Sequence, residues 1–184
     1  MVNYNGNLVA FEDAKITPNN RALKYGDSVF ETLKLVNGKL IFWEAHYFRL
    51  MASMRMLRMK IPMSFTLEFL ENEILKTAKA TNSNNNLRIR LTIIRKDGGF
   101  YLPLTNEVDY LIESQEINSV NKSIYKVDLY KDFYVYSGHL STVKTNNKII
   151  HTIASIYAKE NELDNCILLN ERKGVVEATN ASLF

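Results

Sequence analysis

From Ser28 to Leu35, β-branched and aromatic residues (Val29, Phe30 and Thr32 among them) alternate with polar ones, and Asn37-Gly38 then sends the chain into Leu40-Ile41-Phe42. A period of two on either side of an Asn-Gly pair is a strong short-range hairpin signal, because both turn residues accept the positive φ that a tight type I′ turn needs. The hairpin commits the first half of the chain to antiparallel sheet. A helix follows it. Over Glu44 to Lys60, residues Tyr47, Leu50, Met51, Met54 and Leu57 share one stripe, and Pro62 is expected to end it. The methionines on and near that stripe read as adaptable core filler rather than as ligands.

The remaining elements follow from the same two periods. Asn5-Gly6-Asn7 is a tight turn and Leu8 to Phe11 a short strand. A second amphipathic helix spans Thr66 to Ala80 with Leu67, Leu70, Ile74, Leu75 and Ala78 inward. A polar loop (81–86) leads to a strand over Leu87–Arg95, a turn at Asp97-Gly98-Gly99, and a strand over Val108–Ile112. The polar stretch beginning near Glu113 reads as a linker. Beyond it come a strand over Ile124–Tyr130, a helix over Ile149–Tyr157, and short strands at Cys166–Leu169 and Val175–Glu177. The order of elements predicts an α+β fold. Its expected parts are a small N-terminal α/β domain at 1–113, a linker at 114–122, and at 123–184 the first part of a larger β-rich domain.

Composition narrows the function classes. With 46% apolar and 23% charged residues the chain is an ordinary globular sequence. The net charge of +3 is spread along it, which gives no case for nucleic acid. The single cysteine, Cys166, sits in an apolar run, so no disulfide framework exists and the thiol reads as core in a reducing compartment. No segment approaches the roughly 18 apolar residues of a membrane span. A cytoplasmic location is therefore expected. His139 and His151 have no metal-ligand partner at useful spacing, and no metal site is predicted.

Two residues stand out chemically. Lys144 lies between a glycine-containing loop, Ser137-Gly138-His139, and a helix expected to begin near Asn146, where the positive end of the helix dipole would favour the neutral amine. Glu177 follows on a strand. A lysine of this kind can form a Schiff base with an aldehyde cofactor, and a later carboxylate can hold a protonated pyridine nitrogen, so the pair points to pyridoxal phosphate. From spacing alone, a solvated lysine at a helix start is the plainer reading.

Four strings in order add a resemblance. Asn20 to Thr32 (with Lys24-Tyr25-Gly26-Asp27 inside it), Glu44 to Leu50, Lys144 to Asn147, and Glu177 through Leu183-Phe184 resemble the class IV aminotransferases, the fold-type IV pyridoxal phosphate enzymes. That family includes branched-chain and D-amino acid aminotransferases and aminodeoxychorismate lyases. The resemblance implies that Lys144 carries the cofactor and moves the proton, that Glu177 pairs with the ring nitrogen, and that Arg49 binds the cofactor phosphate with its guanidinium fork. Tyr25, Phe30 and Glu31 would lie towards the substrate, with core packing as the alternative for Phe30. Arg90, ahead of its strand neighbour Arg88, would face the substrate carboxylate, while His46 is a structural hydrogen-bonder and Lys148 a surface residue. An amino acid and a 2-oxo acid would be the substrates, exchanged by a homodimer that binds neither nucleic acid nor membrane. The lyase reaction, which releases pyruvate and 4-aminobenzoate, is the alternative: the Arg90 to Gly99 stretch resembles lyases, and Glu31-Thr32 resembles transaminases. Ser182 stands where the family usually has asparagine. The chain also stops before the rest of the larger domain, including the backbone-amide loop that completes the phosphate cup. A truncated, inactive relative is the third expectation.

Overall fold

A computed structural model describes residues 1–14, 16–81, 86–117 and 122–183. The chain divides into two compact units, Met1–Asn118 with Lys144–Asn146, and Ser119–Val143 with Asn147–Phe184.

The first unit is built on a six-stranded antiparallel sheet in the order β2-β1-β6-β5-β3-β4. Its strands are β1 (Val2–Tyr4), β2 (Asn7–Val9), β3 (Ser28–Val36), β4 (Lys39–Leu40), β5 (Leu87–Arg95) and β6 (Val108–Glu116). The Asn37-Gly38 turn has φ of 49° and 76°, as a type I′ hairpin requires. The two faces of β5 differ over its first half. Leu87, Ile89, Leu91 and Ile93 are buried, whereas Arg88 and Arg90 on the alternate positions are half-buried. In register with the apolar set are Val29, Glu31, Leu33 and Leu35 of β3. Two helices cover this face, α2 (Trp43–Met56) and α3 (Leu67–Ala80); a short α1 (Arg21–Tyr25) precedes β3. Thr66 caps α3 by accepting the Phe69 N–H, and Leu70, Ile74 and Ala78 are buried as the periodicity predicts.

Several boundaries differ from the sequence reading, among them that of the hairpin's second strand, which ends at Leu40 and not at Phe42. α2 ends at Met56 rather than at Lys60, and Pro62 does not end it. The Met59 N–H reaches the Met54 carbonyl and the Arg58 N–H that of Arg55, with Arg58 left-handed at φ 56°, a Schellman closure without glycine. Phe11 belongs to a 3-10 turn (Phe11–Asp13) and not to a strand. The stretch assigned to the linker from residue 114 begins as strand. Ser114, Gln115 and Glu116 pair with Ile89, Arg88 and Leu87, because a ladder of backbone hydrogen bonds tolerates polar side chains at a sheet end. Finally, the expected strand at Ile124 starts only at Val127.

The second unit has a three-stranded sheet in the order β7-β8-β9, with β7 (Val127–Val135) parallel to β8 (Asn165–Asn170) and β9 (Val175–Ala178) antiparallel to β8. One helix, α4 (Ile149–Glu160), packs on it through Ala154 and Ala158 against Tyr130, Cys166 and Leu168. Cys166 is fully buried, and burial pushes its thiol up. Among the described residues no helix is long and apolar enough to cross a membrane.

Candidate active site

Lys144 does not stand at a helix start. α4 begins at Ile149, and Lys144 lies in an extended segment paired with β3. Thr145 bridges Val29, the Phe30 N–H donates to the Lys144 carbonyl at 2.9 Å, and the Asn146 N–H donates to the Ser28 carbonyl at 3.1 Å. β4 covers β3 only at Leu35 and Val36, so this stretch of its edge is open to the incoming segment. Strand register, and not a helix dipole, therefore sets the position of Lys144.

That register puts Lys144 opposite Phe30 and Asn146 opposite Ser28, on the polar face of the sheet. Phe30 is buried and forms a floor: the Arg90 guanidinium carbon lies 3.7 Å above the ring centroid and Lys144 Nζ 5.1 Å from it. Asn146, which the sequence reading passed over, joins the group. Its Oδ1 accepts from Arg90 Nη2 and its Nδ2 donates to Ser28 Oγ, both at 2.7 Å. Burial lowers the Arg90 pKa, Glu113 across the strand pair opposes this, and Arg88 adds to it.

Glu31 points to the opposite, apolar face, where α2 delivers two donors one turn apart. Glu31 is 1% exposed, and Arg49 forks onto it, Nε to Oε1 at 2.7 Å and Nη2 to Oε2 at 2.5 Å. His46 Nδ1 lies 2.8 Å from Oε2. That nitrogen carries the proton, since a lone pair there would face the carboxylate, and its 3.2 Å approach to Arg49 Nη2 is a contact rather than a hydrogen bond. Burial pushes the Glu31 carboxyl up, but the hydrogen bonds and charge of Arg49 and His46 outweigh it and hold the group below the usual carboxylate range. Arg49 is raised by the same bond. A buried anion was not anticipated at this position, although two donors at i and i+3 on the next helix were legible in His46-Tyr47-Phe48-Arg49.

A third group frames the hairpin. Asp27 Oδ2 accepts from Arg21 Nε at 2.8 Å and Arg95 Nε at 2.9 Å. Both arginines are buried, and their remaining donors are taken up, Arg21 by the Gly98 and Phe100 carbonyls, Arg95 by the Leu57 carbonyl and by Asn106 Oδ1. Gly99, at φ 77°, sits where a Cβ would fall 2.2 Å from the Leu102 carbonyl oxygen, so the loop that Arg21 holds requires glycine there. Tyr25 belongs to this group: its ring packs under Arg21 and beside Tyr101.

In the second unit Glu177, on β9, accepts from His151 Nε2 at 2.9 Å. Thus Phe30, Arg90 and Lys144 are brought together with Asn146, while Arg49 and Tyr25 are engaged by other partners of the first unit.

The model of the family described as amino-transferase class IV matches residues 28–184. A putative branched-chain-amino-acid aminotransferase of Methanocaldococcus jannaschii is 28% identical over 98% of this chain and 63% of its own length. Among solved structures, a branched-chain aminotransferase of Thermoproteus uzoniensis with norvaline superposes at a TM-score of 0.82, with 24% identity over 97% of this chain and 62% of its own. A putative 4-amino-4-deoxychorismate lyase of Legionella pneumophila gives 0.80, with 18% identity over 92% and 62%. The chain thus spans less than two thirds of the length of these relatives. Its architecture is the α+β fold of fold-type IV enzymes, and the chain belongs to the class IV amino-transferase family.

Proposed function

We propose that this chain supplies the lysine, phosphate and ring-nitrogen ligands of a pyridoxal phosphate enzyme that moves an amino group between an amino acid and a 2-oxo acid. The observation that carries the reading is the amine of Lys144 held in register over Phe30, on the face that also bears Arg90. The donor set fits the cofactor: one amine, one guanidinium whose Nη1 is turned away from Glu31, and one carboxylate, with 48% of the Arg49 side chain exposed. A branched-chain amino acid aminotransferase of the same fold, solved with pyridoxamine 5′-phosphate, supports the same group. When bound, the cofactor supplies the electron sink for charge developing at the substrate α-carbon.

The residues divide the work. Lys144 Nζ would take the substrate α-proton and hand it on to the cofactor carbon. Arg90 binds and orients the substrate carboxylate, and Phe30 presents a flat wall beneath Arg90 and Lys144. Arg49 holds the phosphate through Nη1, because Nε and Nη2 face Glu31. Glu177 keeps the ring nitrogen protonated. The domain division proposed with this reading is a small N-terminal domain and the start of a cofactor domain, working as a cytoplasmic homodimer.

The test is borohydride reduction of the chain after incubation with pyridoxal phosphate, followed by peptide mapping. Adduct on Lys144 alone, absent from Lys144→Ala, is expected; labelling scattered over surface lysines refutes the site. Reaction type is then read from products. Amino transfer to 2-oxoglutarate supports the aminotransferase, whereas pyruvate with 4-aminobenzoate from aminodeoxychorismate supports the lyase, the reading that the Legionella relative favours.

A further inference from the structure

The second unit carries a histidine where its helix would bury an apolar side chain. α4 turns Ala154 and Ala158 into the core beside Tyr130, Cys166 and Leu168, and His151 lies on the same stripe, one turn ahead of Ala154. The His151 side chain is 15% exposed. Its Nε2 is 2.9 Å from Glu177 Oε1, while its Nδ1 is buried and has no hydrogen-bond partner among the described residues. The proton therefore sits on Nε2. Moving it to Nδ1 would bury an unpaired N–H and set a lone pair against the carboxylate.

Such an arrangement does little for folding. Leucine at 151 would complete the apolar stripe without an orphaned nitrogen, and Glu177, 39% exposed, would take water in place of the imidazole. The gain lies at the carboxylate. One oxygen of Glu177 is pinned by a donor that adds no charge in this tautomer, so the anion keeps its full charge and loses its rotational freedom.

We propose that His151 is a positioning residue for Glu177, fixing the carboxylate in the orientation that meets the cofactor ring nitrogen. The inference rests on the role of Glu177 given under Proposed function. It requires that cofactor retention fall on loss of the imidazole without a fall in stability, which a purely structural histidine would not do.

The experiment compares the wild-type chain with His151→Leu and His151→Gln, whose amide N–H can reach Glu177 in place of Nε2–H. Each is titrated with pyridoxal phosphate, the visible band of the bound cofactor is recorded, and the urea midpoint is measured. His151→Leu is expected to keep or raise the midpoint, to bind about ten-fold more weakly, the size of one lost charge-assisted hydrogen bond, and to shift the band. His151→Gln is expected to restore affinity and band. Long-range 1H–15N spectra of the unliganded wild-type chain should show the Nε2–H tautomer. Equal affinity and an unchanged band in His151→Leu overturn the proposal, as does an Nδ1–H tautomer, or a loss of binding in both variants that follows a fall in midpoint. Failure of the wild-type chain to hold the cofactor on Lys144 is a different result: it removes the reading of Glu177 and the proposal with it.

Discussion

Glu31→Gln isolates the buried carboxylate on which α2 is anchored. Glutamine keeps the shape and one acceptor oxygen but turns an amide N–H2 towards donors that now face Oε1 or Oε2: Arg49 Nε, Arg49 Nη2 and His46 Nδ1. At least one charge-assisted hydrogen bond is lost, worth about 1.5–3 kcal/mol, and Arg49, half exposed, recovers part of that from water, leaving about 2 kcal/mol at neutral pH. With a urea m-value of about 2 kcal/mol/M, the midpoint should fall by about 1 M. The single tryptophan, Trp43, is buried at the start of α2, so its fluorescence follows the unfolding of this unit. The pH dependence carries the sharper test. Because the folded-state pKa of Glu31 lies below the ordinary 4.5, its contribution is complete above that value and drains away as pH falls through the depressed one. The gap between wild type and Glu31→Gln should therefore be present above about pH 4.5 and close below it. A gap that is absent at neutral pH, or that persists undiminished to the acid limit of folding, would refute the argument.

Two further substitutions test the frame. Asp27→Asn leaves the buried guanidinium groups of Arg21 and Arg95 without their shared anion and should cost about 3–5 kcal/mol by the same fluorescence assay; a loss under about 1 kcal/mol would mean that their other hydrogen-bond partners suffice. Arg58→Gly relieves a left-handed arginine at the C′ position of α2 and should stabilise the chain by about 0.5–1 kcal/mol, since Arg58 contributes its carbonyl, which glycine keeps, to Arg95. A lower urea midpoint for that variant would show that the arginine side chain matters more than its backbone strain.

Elements governed by local chemistry were legible in the chain. The Asn37-Gly38 hairpin, the helix that begins near Thr66 and the bounds of β5 at Leu87 and Arg95 each follow from residues within a few positions of one another. Arg90, preferred over Arg88 for the substrate carboxylate, reaches Phe30 and Asn146 in the structure. The end of α2 was not legible, because Leu57 and Met59 prolong the apolar pattern past Met56 and nothing in Arg58 announces a left-handed residue. Nor was the setting of Lys144. A strand edge that receives a partner 118 residues away leaves no periodic trace, and the isoleucines just downstream drew the reading towards a helix start. Glu31 was placed correctly on the hairpin, but its inward direction depends on the parity of β3 against α2, which only the register of β3 with β5 reveals.

Strand parity also decides what Lys144 can do. Successive side chains on the segment 143–145 face alternately, so a slip of one residue against β3 would put Val143 or Thr145 on the face that holds Phe30 and Arg90, and would turn the amine away. Backbone pairing at Val29, Phe30 and Ser28 sets this register, and the Asn146 side chain pins it. Its amide spans the sheet, donating to Ser28 on one strand and accepting from Arg90 on another, so a slipped segment would break both bonds and leave a half-buried amide and guanidinium without each other. One asparagine thereby couples the position of the lysine to that of the arginine. In the proposed reaction these are the groups for the α-proton and the α-carboxylate, which belong to neighbouring atoms of one substrate. Their spacing must hold to within a fraction of an ångström for proton transfer, and two groups on a shared sheet, joined by one amide, meet that requirement better than groups on separate loops.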